Sequence, residues 1–195
     1  MVRIIGAALW GLRVRNARHV PPRGGVILAA NHQSYLDPPF IASCVPREIS
    51  FMARRSLFEI PVLGPIIVAC NAFPIERESG DVRGVKNAIE RLRNGMALLM
   101  FPEGTRSRDG QIGRLKPGLR VIAERASVPV VPVLVDGAYS VWPKGRPLPR
   151  LRGHVWISFG RPVRLDGTDE DFSRRLREAY EELKQTARQR AGMEN

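Results

Sequence analysis

Cysteine is nearly missing from this 195-residue chain: Cys44 and Cys70 are the only two, so no disulfide framework can hold the fold. Stability has to come from burial instead, which this length allows within one domain. A reducing, cytosol-facing compartment is the default expectation. Histidine is almost as sparse, with three residues. No Cys/His spacing resembles a zinc site, and no metal is expected. Lysine occurs only at positions 86, 116, 144 and 184, so arginine supplies most of the 31 cations. The chain also lacks the roughly 20 unbroken apolar residues of a membrane-spanning helix. The stretch from Ile60 to Ile75 is apolar but is interrupted by Pro61, Gly64, Pro65, Asn71 and Pro74.

Hydrophobic residues make up 44% of the chain and aromatics 7%, which excludes general disorder. Against the 31 cations stand 19 acids, for a net charge of +12. Such a surplus calls for a polyanionic partner: nucleic acid, an anionic membrane or a phosphorylated substrate. The basic residues are dispersed, without an aromatic-interleaved basic motif, so no nucleic-acid partner is expected. Residues 1–19 read as a separate N-terminal amphipathic element. Ile4, Ile5, Ala8, Leu9 and Leu12 share one helical face, bracketed by Arg3, Arg13 and Arg15. The segment has no small-residue cleavage site and is short for a secretory signal. It fits a helix lying in a membrane interface with Trp10 at headgroup depth, or a first helix packed on the core.

Residues 20–195 alternate apolar runs with helical patterns, the mark of an α/β domain. Strands are expected at Val26–Ala30, Ile49–Ala53, Met96–Phe101, Val128–Val135 and His154–Phe159, the last nearer a sheet edge. Helices are expected from near Pro38, over Asp81–Arg93 and Gly118–Ala126, and from Thr168. That last one opens on a capping box of Thr168 and Asp171 and carries the apolar stripe Phe172, Leu176, Tyr180, Leu183, Ala187. Pro143–Arg152 reads as a Pro/Arg-rich loop.

Two polar constellations follow directly on apolar strands, where open α/β sheets build their sites. In Asn31-His32-Gln33-Ser34-Tyr35-Leu36-Asp37, Asp37 stands before Pro38 and suits the N-cap of a helix. Its carboxylate could also hold one nitrogen of His32, leaving the other as a general base. A cap without catalytic duty is the plainer alternative. In Phe101-Pro102-Glu103-Gly104-Thr105-Arg106-Ser107, Gly104 permits a tight turn whose N–H groups, with Arg106, can receive a phosphate. Glu103 can orient Arg106 or a substrate hydroxyl, and Lys116 adds a cation near a helix start. A charged surface turn with an internal Glu–Arg pair is the competing reading. A third segment, Asn71-Ala72-Phe73-Pro74-Ile75-Glu76-Arg77, could bring a second guanidinium from Arg77.

Together these blocks resemble the glycerolipid acyltransferase family, nearest to the 1-acylglycerol-3-phosphate (lysophosphatidic acid) acyltransferases. The resemblance rests on His-x4-Asp, Phe-Pro-Ile-x-Arg, Phe-Pro-Glu-Gly-Thr-Arg-Ser and Val-Pro-Val-Val-Pro-Val, in the family's order, over roughly Val20–Gly160. It implies a single domain with a central mixed, mostly parallel sheet flanked by helices, of the glycerol-3-phosphate acyltransferase type. It implies His32 as general base and Asp37 as its orienting partner. Substrate binding falls to Arg77, Arg106 and Lys116, with Glu103, Gly104 and Thr105 shaping the pocket, and the strand near Val130–Val133 would line an acyl pocket. The implied reaction moves a fatty acyl group from acyl-CoA or acyl-carrier protein to lysophosphatidic acid, giving phosphatidic acid without a cofactor. Glycerol-3-phosphate, another lysophospholipid or a glycolipid are alternative acceptors. Such an enzyme is expected at the cytoplasmic face of the cell membrane, peripheral or monotopic, on anionic lipid. One departure is that Cys70-Asn71 stands where the family usually has glycine.

Overall fold

The computed structural model describes residues 2–61, 63–75 and 82–191. Seven strands form one sheet: β1 (Arg13–Arg15), β2 (Val26–Ala30), β3 (Ile49–Arg54), β4 (Ala72–Ile75), β5 (Ala97–Met100), β6 (Val130–Asp136) and β7 (Trp156–Phe159). Their spatial order is β1-β7-β6-β2-β5-β3-β4. From β6 through β4 the pairs are parallel, whereas β6 meets β7 antiparallel and β1 follows β7 in parallel. The sheet is therefore mixed and mostly parallel. Around it lie α1 (Val2–Trp10), α2 (Asp37–Cys44), α3 (Arg55–Phe58), α4 (Leu63–Ala69), α5 (Val82–Arg93), α6 (Gly118–Ala126), α7 (Ala138–Val141) and α8 (Asp169–Ala191).

Strands β2 and β5, at the middle of the sheet, are apolar at every position because both sheet faces are covered. All five residues of β2 are fully buried. Strand alternation sends Val26, Leu28 and Ala30 toward a core shared with Trp10, Phe40 and Ile41. Ile27 and Ala29 face the opposite core, with Ile89, Leu92, Leu119, Ile122, Leu176 and Tyr180. Gly25 admits the chain to β2: a Cβ there would stand 2.2 Å from the Leu92 carbonyl oxygen. Of the C-terminal stripe, Phe172, Leu176, Tyr180 and Ala187 are buried, and the Tyr180 hydroxyl donates to the Ala29 carbonyl at 3.0 Å.

Three expectations need correction. The N-terminal helix stops at Trp10, where Gly11 turns left-handed at φ 49°, and residues 13–15 form the edge strand β1 instead. Trp10 does not sit at a headgroup interface. It is buried at 6% exposure, tilted against Phe40, and its indole donates to the Arg150 carbonyl at 2.6 Å. An indole enters a core readily once its N–H is bonded. The third concerns Val130, Val131 and Val133: they have no exposed surface. A strand with neighbours on both edges and packing on both faces cannot also line an open pocket.

At Cys70-Asn71 the chain does need a left-handed residue, and Asn71 supplies it at φ 61°. Asparagine is among the few non-glycine residues that tolerate this region.

The capping box at α8 gives a first prediction. Asp171 and Thr168 exchange hydrogen bonds, Thr168 N–H to Asp171 Oδ2 at 3.1 Å and Asp171 N–H to Thr168 Oγ1 at 3.1 Å. The Thr168 N–H, then Arg174 and the Thr168 hydroxyl, hold the Asp171 carboxyl down at about 2. A depressed carboxyl contributes stability that is complete above its unfolded-state pKa, near 3.8, and lost as pH falls toward the folded value. Thr168→Ala should lower stability by about 1 kcal/mol at neutral pH. Urea titrations should show Asp171→Ala converging on wild type between about pH 4 and pH 2.

Candidate active site

Strands β2 and β5 are adjacent and in parallel register, Ala29 opposite Met100. Their carboxyl ends therefore release Asn31–Asp37 and Phe101–Ser107 at the same edge of the sheet. Residues some seventy positions apart meet there: the His32 carbonyl accepts the Ser107 N–H at 2.7 Å.

His32 is held on three sides. Its Nδ1 lies 2.8 Å from Asp37 Oδ2, its ring stacks on Phe101 with centroids 3.9 Å apart, and its backbone N–H donates to Glu103 Oε1 at 2.8 Å. A carboxylate oxygen can only accept, so against Asp37 the matching tautomer of a neutral imidazole has its proton on Nδ1 and its lone pair on Nε2. The side chain is 17% exposed, and that of Asp37 is fully buried.

Asp37 does not cap its helix. Leu36 takes the cap position without a side-chain bond, while Asp37 Oδ2 turns back to accept the N–H groups of Gln33 at 2.6 Å and Ser34 at 2.7 Å. One oxygen thus gathers the loop and the imidazole. A buried carboxylate requires such donors to offset its desolvation.

Glu103 likewise departs from expectation. Instead of pairing with Arg106, it accepts the His32 N–H and, through Oε2, the Gly113 N–H at 2.9 Å. Burial pushes its carboxyl above the ordinary glutamate range, opposed first by the His32 N–H and then by that of Gly113. Gly104 follows at φ 69°, and its N–H closes the turn on Phe101 at 2.9 Å. Lys116 lies across this turn, with Nζ 3.0 Å from where a Gly104 Cβ would stand. Thr105 and Lys116 are exposed.

Freed from Glu103, the Arg106 guanidinium covers the Tyr35 ring at 3.4 Å from its centroid, a cation–π contact. Its Nη1 is buried without a hydrogen-bond partner. The structure thus brings together His32, Asp37, Glu103, Gly104, Arg106 and Lys116; Arg77 lies outside the described residues.

Other supports went unread in the sequence. Asn31 continues the ladder between β2 and β6 with its side chain, donating to the Val135 carbonyl at 2.9 Å and accepting the Val135 N–H at 2.7 Å. Gln33 donates to the Gly110 carbonyl at 2.8 Å, and Ser34 to that of Trp142 at 2.8 Å. The available signal was a polar run ending a wholly apolar strand. Such side chains have to find internal partners when buried. Among the described residues, no group of three or more His, Cys, Asp and Glu could hold a metal.

Residues 11–136 match the family model described as Acyltransferase. A solved structure, the 1-acyl-sn-glycerophosphate acyltransferase PlsC from Thermotoga maritima, superposes with a TM-score of 0.80 at 30% identity, covering 95% of this chain and 78% of that one. A 1-acyl-sn-glycerol-3-phosphate acyltransferase of Bacillus subtilis is 26% identical over 94% of this chain and 96% of its own length. A chloroplastic enzyme of the same name from Brassica napus is 32% identical over 70% of this chain, which spans only 40% of that relative. On this sequence match and this shared fold, the chain belongs to the acyltransferase family that includes the 1-acyl-sn-glycerol-3-phosphate acyltransferases.

Proposed function

We propose that this protein transfers a fatty acyl group from a thioester, acyl-CoA or acyl-carrier protein, to the free hydroxyl of 1-acylglycerol-3-phosphate, producing phosphatidic acid. The carrying observation is His32 fixed through Nδ1 by buried Asp37 at 2.8 Å, beside an arginine with an unpartnered buried nitrogen. The relatives' names support the choice of acceptor.

In this reading His32 Nε2 removes the hydroxyl proton as the oxygen attacks the thioester carbonyl. Asp37 stabilises the resulting imidazolium. Collapse of the tetrahedral intermediate breaks the C–S bond, and the imidazolium returns the proton to the departing thiolate. No nucleophilic side chain and no cofactor is needed. Arg106 binds the acceptor phosphate and so determines which hydroxyl faces His32, while Lys116 adds a flexible second cation. Glu103 positions His32 through its backbone.

The acceptor is a lipid, so the enzyme works at a membrane surface, peripherally and on the cytoplasmic face. Among the described residues no helix is long and apolar enough to cross a bilayer. Supporting a surface contact, α1 exposes Val2, Ile4, Ile5 and Leu9 while burying Gly6 and Trp10.

His32→Ala should reduce turnover by about 10²–10⁴-fold with the fold retained, measured as thiol release from acyl-CoA in the presence of lysophosphatidic acid. A variant of full activity would remove the imidazole from the mechanism. Asp37→Asn should keep the backbone bonds but lose about 10³–10⁴ in turnover by disturbing the tautomer of His32; wild-type kinetics would reduce Asp37 to a loop anchor. For Arg106→Ala, the KM of the phosphorylated acceptor should rise about tenfold or more, as for a lost charge-assisted bond of 1.5–3 kcal/mol. An unchanged KM would take Arg106 out of the phosphate site.

A further inference from the structure

The net charge of +12 is not spread evenly. Residues 1–36 and 137–165 contain no Asp or Glu, yet they hold eleven of the 31 cations. The remainder has 20 cations against 19 acids and is close to neutral. Folding joins the two acid-free stretches: β1 pairs with β7, and the Trp10 indole donates to the Arg150 carbonyl.

Within the second stretch, residues 142–152 make a loop between α7 and β7. It carries Lys144, Arg146, Arg150 and Arg152, together with Leu148 and Leu151 at 72% and 73% exposure. The loop is firmly built. Arg150 N–H donates to the Val141 carbonyl at 2.9 Å, Trp142 Nε1 to the Arg146 carbonyl at 2.9 Å, and Arg146 Nε to the Leu148 carbonyl at 3.0 Å. Pro143, Pro147 and Pro149 restrict it further. Two leucines are thus held in water by a braced backbone, in a loop with four cations. Apolar side chains in a basic stretch of sequence free of Asp and Glu match an anionic bilayer: headgroups for the charges, the acyl boundary for the leucines.

The loop also begins beside the candidate site. The Trp142 carbonyl accepts from Ser34, and its ring lies 5.1 Å from that of Tyr35, the ring under Arg106. We propose that loop 142–152 is a membrane-contact element, separate from α1, that seats the site of His32 and Arg106 on anionic phospholipid. This rests on the lipid reaction proposed above only for what the seating accomplishes; the contact itself is a binding property.

The test uses the full chain and sedimentation with vesicles of equal parts phosphatidylglycerol and phosphatidylcholine. The pairs L148S/L151S and K144Q/R152Q change exposed side chains outside the cleft, and their thermal midpoints should match wild type. Each pair should weaken vesicle binding about tenfold or more, as expected for two inserted side chains or two headgroup-facing cations. The cation pair's deficit should shrink as salt is raised. Turnover of a short-chain, monomeric lysophosphatidic acid should stay unchanged, while turnover of the vesicle-embedded acceptor falls with binding. Wild-type vesicle affinity in both pairs would overturn the proposal, as would a loss confined to acyl-carrier protein use, which would make the loop a protein-docking surface. Weakened vesicle binding in a protein with no transferase activity would uphold the contact and sink the reaction instead.

Discussion

One buried oxygen organises the catalytic end of this protein. Asp37 Oδ2 accepts from the Gln33 and Ser34 N–H groups and lies 2.8 Å from His32 Nδ1. Removing that oxygen would free two backbone donors and the imidazole together. The geometry follows from placement. Asp37 opens α2, close enough behind β2 for its side chain to fold back over the connecting loop, and Pro38 fixes the first helical turn. Glu103 does similar work from the next strand, binding the N–H groups of His32 and Gly113. Two carboxylates from two strand ends thus grip the backbone on which the imidazole stands. Preorganisation of this kind holds the imidazole where the proposed general base would need to stand.

Much of this architecture was legible in the sequence where hydrophobic periodicity is unambiguous. Val26–Ala30 is a strand with both ends as read, and Gly118–Ala126 a helix likewise. The co-location of His32 with Arg106 followed from two polar motifs after two apolar strands. Strands β1 and β4 were not legible. Strand β1 has three residues and β4 four, and pairing with a neighbour, not local pattern, makes them strands. Trp10 misled for a related reason: an indole beside an apolar helix suits an interface or a core, and only the distant Arg150 carbonyl decides between them.

The roles of the acids were harder still. The motif alone left Glu103 free to pair with Arg106 or to meet a substrate hydroxyl. Burial changed the outcome. Once Glu103 is enclosed, at 5% exposure, it serves backbone N–H groups that have no other acceptor, and the arginine turns to the face of Tyr35. A local motif shows which groups are present, but long-range backbone bonds decide which partners they take.

That displacement has an energetic meaning. A buried guanidinium nitrogen without an acceptor, as at Arg106 Nη1, costs roughly 1–3 kcal/mol in the unliganded fold. Tyr35 offsets part of this by cation–π attraction, about 0.5–2 kcal/mol, but a ring face cannot satisfy an N–H in the way an oxygen does. In the proposed reading an incoming phosphate would relieve it, turning a local loss of stability into binding energy. An internal salt bridge to Glu103 would remove the cost and also the affinity, because a phosphate would then have to displace a carboxylate. Assigning Glu103 to the backbone and leaving Arg106 on an aromatic face keeps the cation available for the role proposed for it.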